Sequence, residues 1–292
     1  MTWVLGLCCG VLAALAGGLA LHLARERKRY SERQDRLGEL EAALANLVRE
    51  LERTRAQEAQ RAKELARYLP TDVAQRITNA PADGVGIKRR RGRLTVCFVD
   101  IVGFTSMADS LAPEDLEALL NRYFTVMTEI VQSRGGTLDK FMGDGIMVFF
   151  AGEGADAEAA SACVRMAIDM QVASRRLADE WQGRGSEVPL RIRIGIATGY
   201  CSVGNFGSHS RVQYTAVGGP VNLAARLEAA AEPGGILLAH STFGLVRDAF
   251  VLEPAGTLSL KGLARPIHAY LALRECTPGE ARAVLAAAGM EG

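Results

Sequence analysis

The sequence predicts an α/β (α+β) domain of β-α-β-β-α-β order, carried behind one long N-terminal helix. Three observations predict it. From Leu94 onward, short apolar runs alternate with amphipathic stretches of helical period. Clusters of glycine and proline fall where those elements should end. Before that point, residues 25–67 hold one glycine, Gly38, and no proline, as an unbroken helix requires.

The first element runs from Trp3 to Ala24, 22 residues without Asp, Glu, Lys or Arg. At ~1.5 Å per residue such a helix is about 33 Å long, enough to cross a bilayer. The basic block RERKRY, residues 25–30, follows it. Positive charge on that flank stays cytoplasmic. The expectation is therefore a single-pass anchor, residues 1–24, in the plasma (cell inner) membrane, N-terminus outside and the rest in the cytoplasm. A cleaved signal peptide would carry its basic residues ahead of the apolar run, not behind it. Gly6 and Gly10 form a GxxxG continued by Ala14 and Gly18. That spacing lets two helix backbones approach, and it also arises by chance in Gly/Ala-rich segments.

Over residues 25–67, Leu37, Leu40, Leu44, Leu47 and Leu51 step by three and four, the seam of a parallel coiled coil. Thr54, Glu58 and Arg61 interrupt the seam before Leu65. A solitary amphipathic helix has a similar pattern, but a partner tethered in the same membrane raises the effective concentration and favours pairing. Pro70 breaks the helix, and residues 68–88 read as a linker with a short helix over Val73–Ile77.

A strand is expected over 94–101, then a helix over 113–134 with Leu116, Leu119, Leu120, Tyr123, Phe124 and Met127 on one face. Gly135 and Gly136 end it. Apolar runs at 137–142 and 146–150 flank Gly143-Asp144-Gly145 as a β-hairpin. A second helix covers 155–181. Residues 191–207 alternate with period two, with a glycine-containing turn expected inside. A third helix runs over 221–230, and short strands follow near 236–239, 257–260 and 267–273. This order is ferredoxin-like, an antiparallel sheet with two helices on one face. The domain spans 89–275 and leaves a tail, 276–292, without evident chemistry.

A net charge of +1 gives no electrostatic reason to expect nucleic acid as a partner. Six cysteines and four histidines are dispersed, with no CxxC, which argues against a disulfide framework or a zinc site. The chemistry then rests on carboxylates. Asp100 interrupts the apolar run of CFVDIVGFTSMA, where an unpaired charge costs several kcal/mol. Asp144 lies in the hairpin turn. In a β-α-β-β unit the first and third elements can be neighbours, so both carboxylates can project from one edge of the sheet. Hard oxygen ligands of this kind suit Mg²⁺ or Mn²⁺. Val102-Gly103-Phe104-Thr105 leads into a helix and offers backbone N–H groups to phosphate oxygens. Carboxylates beside an anion-binding turn suggest phosphoryl or nucleotidyl transfer. Asn222 and Arg226, four residues apart, share a helix face. Taken singly, each has a plainer reading: a helix cap for Asp100, an ordinary turn for Asp144, a solvent-facing pair for Asn222 and Arg226.

Together, VCFVDIVGFTSMA, DKFMGDGIMVFF, RIRIGIATG and YTAVGGPVNLAAR, in this order and spacing, resemble the catalytic domain of the class III nucleotidyl cyclases over residues 89–275. The resemblance implies a membrane-anchored, homodimeric adenylate cyclase that converts ATP to 3′,5′-cyclic AMP and pyrophosphate. It implies two Mg²⁺ (or Mn²⁺) per active site on Asp100 and Asp144, with the backbone carbonyl of Ile101 as a further ligand. Gly103, Phe104 and Thr105 would lie against the triphosphate, and Arg193 and Lys261 at its terminal phosphates. Asn222 would orient the ribose, and Arg226 would stabilise charge on the α-phosphate. Lys140 matches the base-reading position, where a lysine donor suits adenine N1 and is mismatched to the protonated N1 of guanine.

Its partner in base reading is often Asp; here it is Thr215, whose hydroxyl both donates and accepts. Thr there resembles the subclass that includes bicarbonate-responsive cyclases, a sensitivity decided by turnover at fixed pH with and without bicarbonate. In this family the site lies between two domains, so a symmetric homodimer would build two sites. The alternatives are a guanylate cyclase, which Lys140 disfavours, or a catalytically silent cyclase-like membrane scaffold. Such a scaffold is expected to lack some of Asp100, Asp144, Asn222 or Arg226, and all four are present.

Overall fold

The computed structural model describes residues 2–66, 89–152, 154–182, 190–208, 212–260, 262, 265–277 and 280; the side chains of 2–16, 63, 65 and 66 lie outside that description. The chain forms two units, Met1–Leu65 and Ala66–Gly292.

The first unit is one continuous helix, α1 (Thr2–Ala66). Its leucine seam is open in the single chain: Leu40, Leu44 and Leu47 are 66%, 63% and 62% exposed. Among the described residues no helix is long and apolar enough to cross a membrane. Most of the uncharged run Trp3–Ala24 falls among the side chains outside the description. The linker with its short helix over Val73–Ile77, and nearly all of the tail, also lie outside the described residues.

The second unit begins with β1 (Arg90–Ile101), α2 (Phe104–Ser110), α3 (Pro113–Ser133), β2 (Thr137–Met142), β3 (Gly145–Ala151) and α4 (Asp156–Gln182). It continues with β4 (Ile192–Gly207), β5 (Val212–Val217), α5 (Gly219–Ala230), β6 (Ile236–Ala239), α6 (His240–Val246), β7 (Phe250–Leu258) and β8 (Ile267–Glu275). The strands form one sheet in the order β2-β3-β1-β4-β6-β8-β7, with β5 paired to β4. Strands β4 and β6 run parallel; β1 is antiparallel to both β3 and β4.

Strand β1 is apolar on both faces because both are covered. Cys97, Val99 and Ile101 enter the core shared with α3, α4 and α6. Leu94, Val96 and Phe98 enter a second core, shared with α5. Period-two alternation thus sorts one strand into two cores. Strands β3 and β4 do the same, with Ile146, Val148, Ile194 and Ile196 on the first side and Met147, Phe149 and Ala197 on the second. The two helices expected on one face, α3 and α4, are there, and α5 covers the other.

The structure corrects several expectations. Residues 192–207 are one strand with no turn inside, because the internal glycines make room instead of bending the chain. A Cβ on Gly199 would come within 2.7 Å of Pro220. The strand placed near 257–260 begins at Phe250, and β5 and α6 were not anticipated.

Candidate active site

Strand β1 delivers Asp100 at its C-terminal end. Its parity places it on the α5 side, with Leu94, Val96 and Phe98, while Ile101 inserts its side chain into the opposite core. Asp100 is therefore not sealed in a strand interior; its side chain is 27% exposed. The pairing of β1 with β3 brings the hairpin turn beside it. A Cβ on Gly145 would meet Asp100 Oδ1 at 3.5 Å and the Val99 carbonyl at 3.4 Å. Gly143, at φ 67°, supplies the left-handed residue that this turn needs. Asp144 then reaches back to β1, where the Ile101 N–H donates to its Oδ2 at 3.1 Å.

The two carboxylates converge as the sequence implied, and the convergence has an electrostatic cost. Burial, and then the charge of Asp100, raise the Asp144 pKa from 3.8 to about 6. Tyr123 of α3 lies beneath them, fully buried, and among the described residues its hydroxyl has no hydrogen-bond partner. Burial and the charges of Asp144 and Asp100 push its pKa up as well.

Arg193 stands opposite Asp100 in the β1–β4 register. Its Nη2 donates to Asp100 Oδ2 at 2.8 Å. Its Nε lies 2.6 Å from Glu228 Oε1, an ion pair without hydrogen-bond alignment. Glu228, on α5, was not singled out from the sequence. Burial, then the charge of Asp100, raise its pKa to about 7, against the pull of Arg193. Helix α5 comes this close because Gly195 has no side chain; a Cβ there would collide with the Ala224 carbonyl and the Glu228 backbone.

Gly103, at φ 72°, starts α2, and its carbonyl accepts from the Met107 N–H at 3.1 Å. Phe104 packs against the core and Thr105 is exposed. On α5, Asn222 is exposed and Arg226, one turn later, is half-buried. The Arg226 guanidinium borders the turn at Gly262, where a Cβ would approach Nη2 to 3.0 Å. Lys261 lies outside the described residues.

A second cluster joins β2 to β5. Lys140 Nζ donates to the Thr215 hydroxyl at 3.1 Å. Thr215 donates in turn to Asp139 Oδ2 at 2.9 Å, and the same oxygen lies 3.1 Å from Lys140 Nζ. The predicted base-reading pair is therefore in contact within one chain, with a carboxylate that the sequence reading did not include. Among the described residues, Asn222 and Arg226 make no side-chain hydrogen bond or ion pair with either cluster.

The oxygen donors fit a divalent cation. Asp100 and Asp144 are half-buried, mutually repelling and ended by the backbone of Ile101. Among the described residues no group of three or more His, Cys, Asp or Glu is placed to hold a metal. Two carboxylates are nevertheless the donor number used where substrate phosphates complete the coordination of Mg²⁺.

Residues 87–273 match the family described as the adenylate and guanylate cyclase catalytic domain. The chain belongs to that family. It is 31% identical to adenylate cyclase 1 of Rhizobium meliloti over 208 residues, covering 70% of this chain and 31% of that protein. It is 33% identical to an adenylate cyclase of Mycobacterium bovis over 244 residues, covering 83% and 52%. The chain thus spans about half or less of these relatives. Among solved structures, the adenylyl cyclase CyaB from P. aeruginosa superposes with a TM-score of 0.63 at 43% identity, over 64% of this chain and 96% of that one. The guanylyl cyclase Cya2 does so at 0.60 and 34%, over 67% and 98%. Both nucleotide specificities occur among these cyclases, so the distinction falls to the residues that read the base.

Proposed function

We propose that the protein is a membrane-anchored, homodimeric adenylate cyclase that converts ATP to 3′,5′-cyclic AMP and pyrophosphate. The observation that carries this reading is the Lys140–Thr215 contact in a cyclase domain that also keeps Asp100 and Asp144 converged. A lysine beside a hydroxyl complements adenine, whose N1 accepts and whose amino group donates. The same lysine meets a proton on guanine N1, which disfavours the guanylate cyclase reading that the likeness to Cya2 raises.

In this reading Asp100, Asp144 and the Ile101 carbonyl hold two Mg²⁺ or Mn²⁺. Bound there, such cations lower the pKa of the ribose 3′-hydroxyl and neutralise the departing pyrophosphate. Backbone at Gly103 and Phe104, with Thr105, lies along the triphosphate. Arg193 exchanges its Asp100 oxygen for a terminal phosphate oxygen, and Lys261 joins it. Asn222 orients the ribose for in-line attack, and Arg226 meets charge growing on the α-phosphate.

The two halves of the site belong to different copies of the chain. This reading is supported by the absence, among the described residues, of a hydrogen bond or ion pair from Asn222 or Arg226 to the carboxylates, and by the exposed leucine seam of α1. Two chains would bury that seam as a parallel coiled coil. The uncharged run Trp3–Ala24 before RERKRY supports a single-pass anchor in the plasma membrane, with the cyclase domain cytoplasmic.

The test is nucleotide turnover by the purified full chain with Mg²⁺ or Mn²⁺, ATP against GTP, for wild type and Asp144→Ala. Cyclic AMP is the expected main product, lost in the variant. Cyclic AMP formation unaffected by that substitution would defeat the mechanism.

A further inference from the structure

Strand β2 contains an irregularity with chemical consequences. Leu138 pairs with Val148 and Lys140 with Met147, so Asp139 is an extra residue in the ladder. In a regular strand, neighbours point to opposite faces. A bulge re-aims one of them. Here Asp139 and Lys140 both reach Thr215 on β5, at 2.9 and 3.1 Å. The Asp139 side chain has no exposed surface, whereas that of Lys140 is 27% exposed. The carboxylate is thus the buried floor of the pair, and the ammonium is its open end.

The count of donors and acceptors gives the pair a direction. An ionised carboxylate only accepts, so the proton between Thr215 and Asp139 comes from Thr215. Lysine only donates, so one lone pair of the Thr215 oxygen is taken by Lys140. What Thr215 has left is a lone pair. Lys140 spends one N–H on Thr215 and one on Asp139 and keeps a third. Toward a bound base the pair offers one donor and one acceptor. Adenine offers the complement, the N1 acceptor and the amino donor. Guanine offers the reverse, N1–H and O6, and meets a mismatch at both atoms.

Resting on the adenylate cyclase reading above, we propose that Asp139 is the positioning residue that sets nucleotide preference, by holding Thr215 as a hydrogen-bond acceptor and anchoring Lys140. Without Asp139 the Thr215 hydroxyl is free to turn and donate to guanine O6, and the lysine loses its buried anchor. Asp139 touches neither base nor phosphate; it acts through its two neighbours.

The experiment compares kcat/KM for ATP and for GTP in the full chain, for wild type, Asp139→Ala and Asp139→Asn. Calorimetric binding of non-cyclisable ATP and GTP analogues reads the same preference without turnover. The expected result is a fall of about tenfold in the ATP:GTP ratio for Asp139→Ala, the scale of one specificity-bearing hydrogen bond. Asp139→Asn keeps an acceptor oxygen at that place and should hold the ratio within about threefold of wild type. An unchanged ratio in Asp139→Ala, equal losses for both nucleotides, or an equally deep fall in Asp139→Asn overturns the proposal. A wild type that prefers GTP would sink the adenylate reading instead, and the change in ratio on Asp139→Ala would still be measured.

Discussion

Replacing Asp144 by Asn should abolish cyclase activity and yet stabilise the metal-free domain. The raised pKa of Asp144 carries the argument. Its folded-state value, about 6, lies above the 3.8 of a free carboxyl. Between those pH values the folded chain holds a proton that the unfolded chain has released, so stability falls as pH rises through the window. The penalty is absent below about pH 4 and fully present above about pH 7. A rise of this size corresponds to about 3 kcal/mol, at about 1.4 kcal/mol per pH unit. Because Asp144 is half-buried, solvent screening reduces that to about 1–2 kcal/mol.

Asparagine removes the charge and keeps an oxygen for the Ile101 N–H, so the local fold is retained. Trp181, 1% exposed in the core, reports unfolding by fluorescence. In urea titrations with chelator, Asp144→Asn should exceed wild type by about 1–2 kcal/mol at pH 7.5 and match it near pH 4. Added Mg²⁺ should raise wild-type stability and leave the variant unchanged. A variant less stable than wild type at pH 7.5 without metal would refute the electrostatic account.

Further outcomes follow from the packing. Gly195→Ala drives a methyl group into the backbone of α5 and should cost about 1–3 kcal/mol. Because α5 carries Asn222 and Arg226, it should also cut kcat by about a hundredfold; urea unfolding and turnover measured on the same sample check both. Leu44→Glu places a charge in the middle of the seam, so sedimentation should shift from dimer to monomer and activity should fall at least about tenfold. A persistent, fully active dimer would locate the contact elsewhere.

Those features written in periodicity were legible in the sequence. The burial of β1 was legible in its apolar run and α3 in its apolar stripe and glycine end, whereas the cover on the second face of β1 was not, because the expected sheet carried helices on one face only. Convergence of Asp100 and Asp144 followed from strand adjacency, and the Lys140–Thr215 contact from the resemblance. What escaped depends on tertiary detail. Gly199 reads as a turn residue, but its role is to admit Pro220. Strand β5, six residues ending against Gly218-Gly219, is set apart from a loop leading into α5 only by its pairing with β4. Glu228 resembles any solvated charge near a helix end until Gly195 draws α5 onto β4. Asp139, by strict alternation, belongs on the face away from Lys140, and the bulge that reverses this leaves no mark in the pattern.

That bulge has a second effect, on colloidal behaviour. Strand β2 is the outermost strand at its end of the sheet. An outer strand leaves a row of backbone groups ready to template another chain. A regular, uncharged edge here, with Phe141 and Met142 already 44% and 42% exposed, would invite edge-to-edge association. The extra residue breaks the ladder at that edge, and an interrupted ladder is a poorer template, so the bulge that brings Asp139 to Thr215 also works against edge-to-edge pairing.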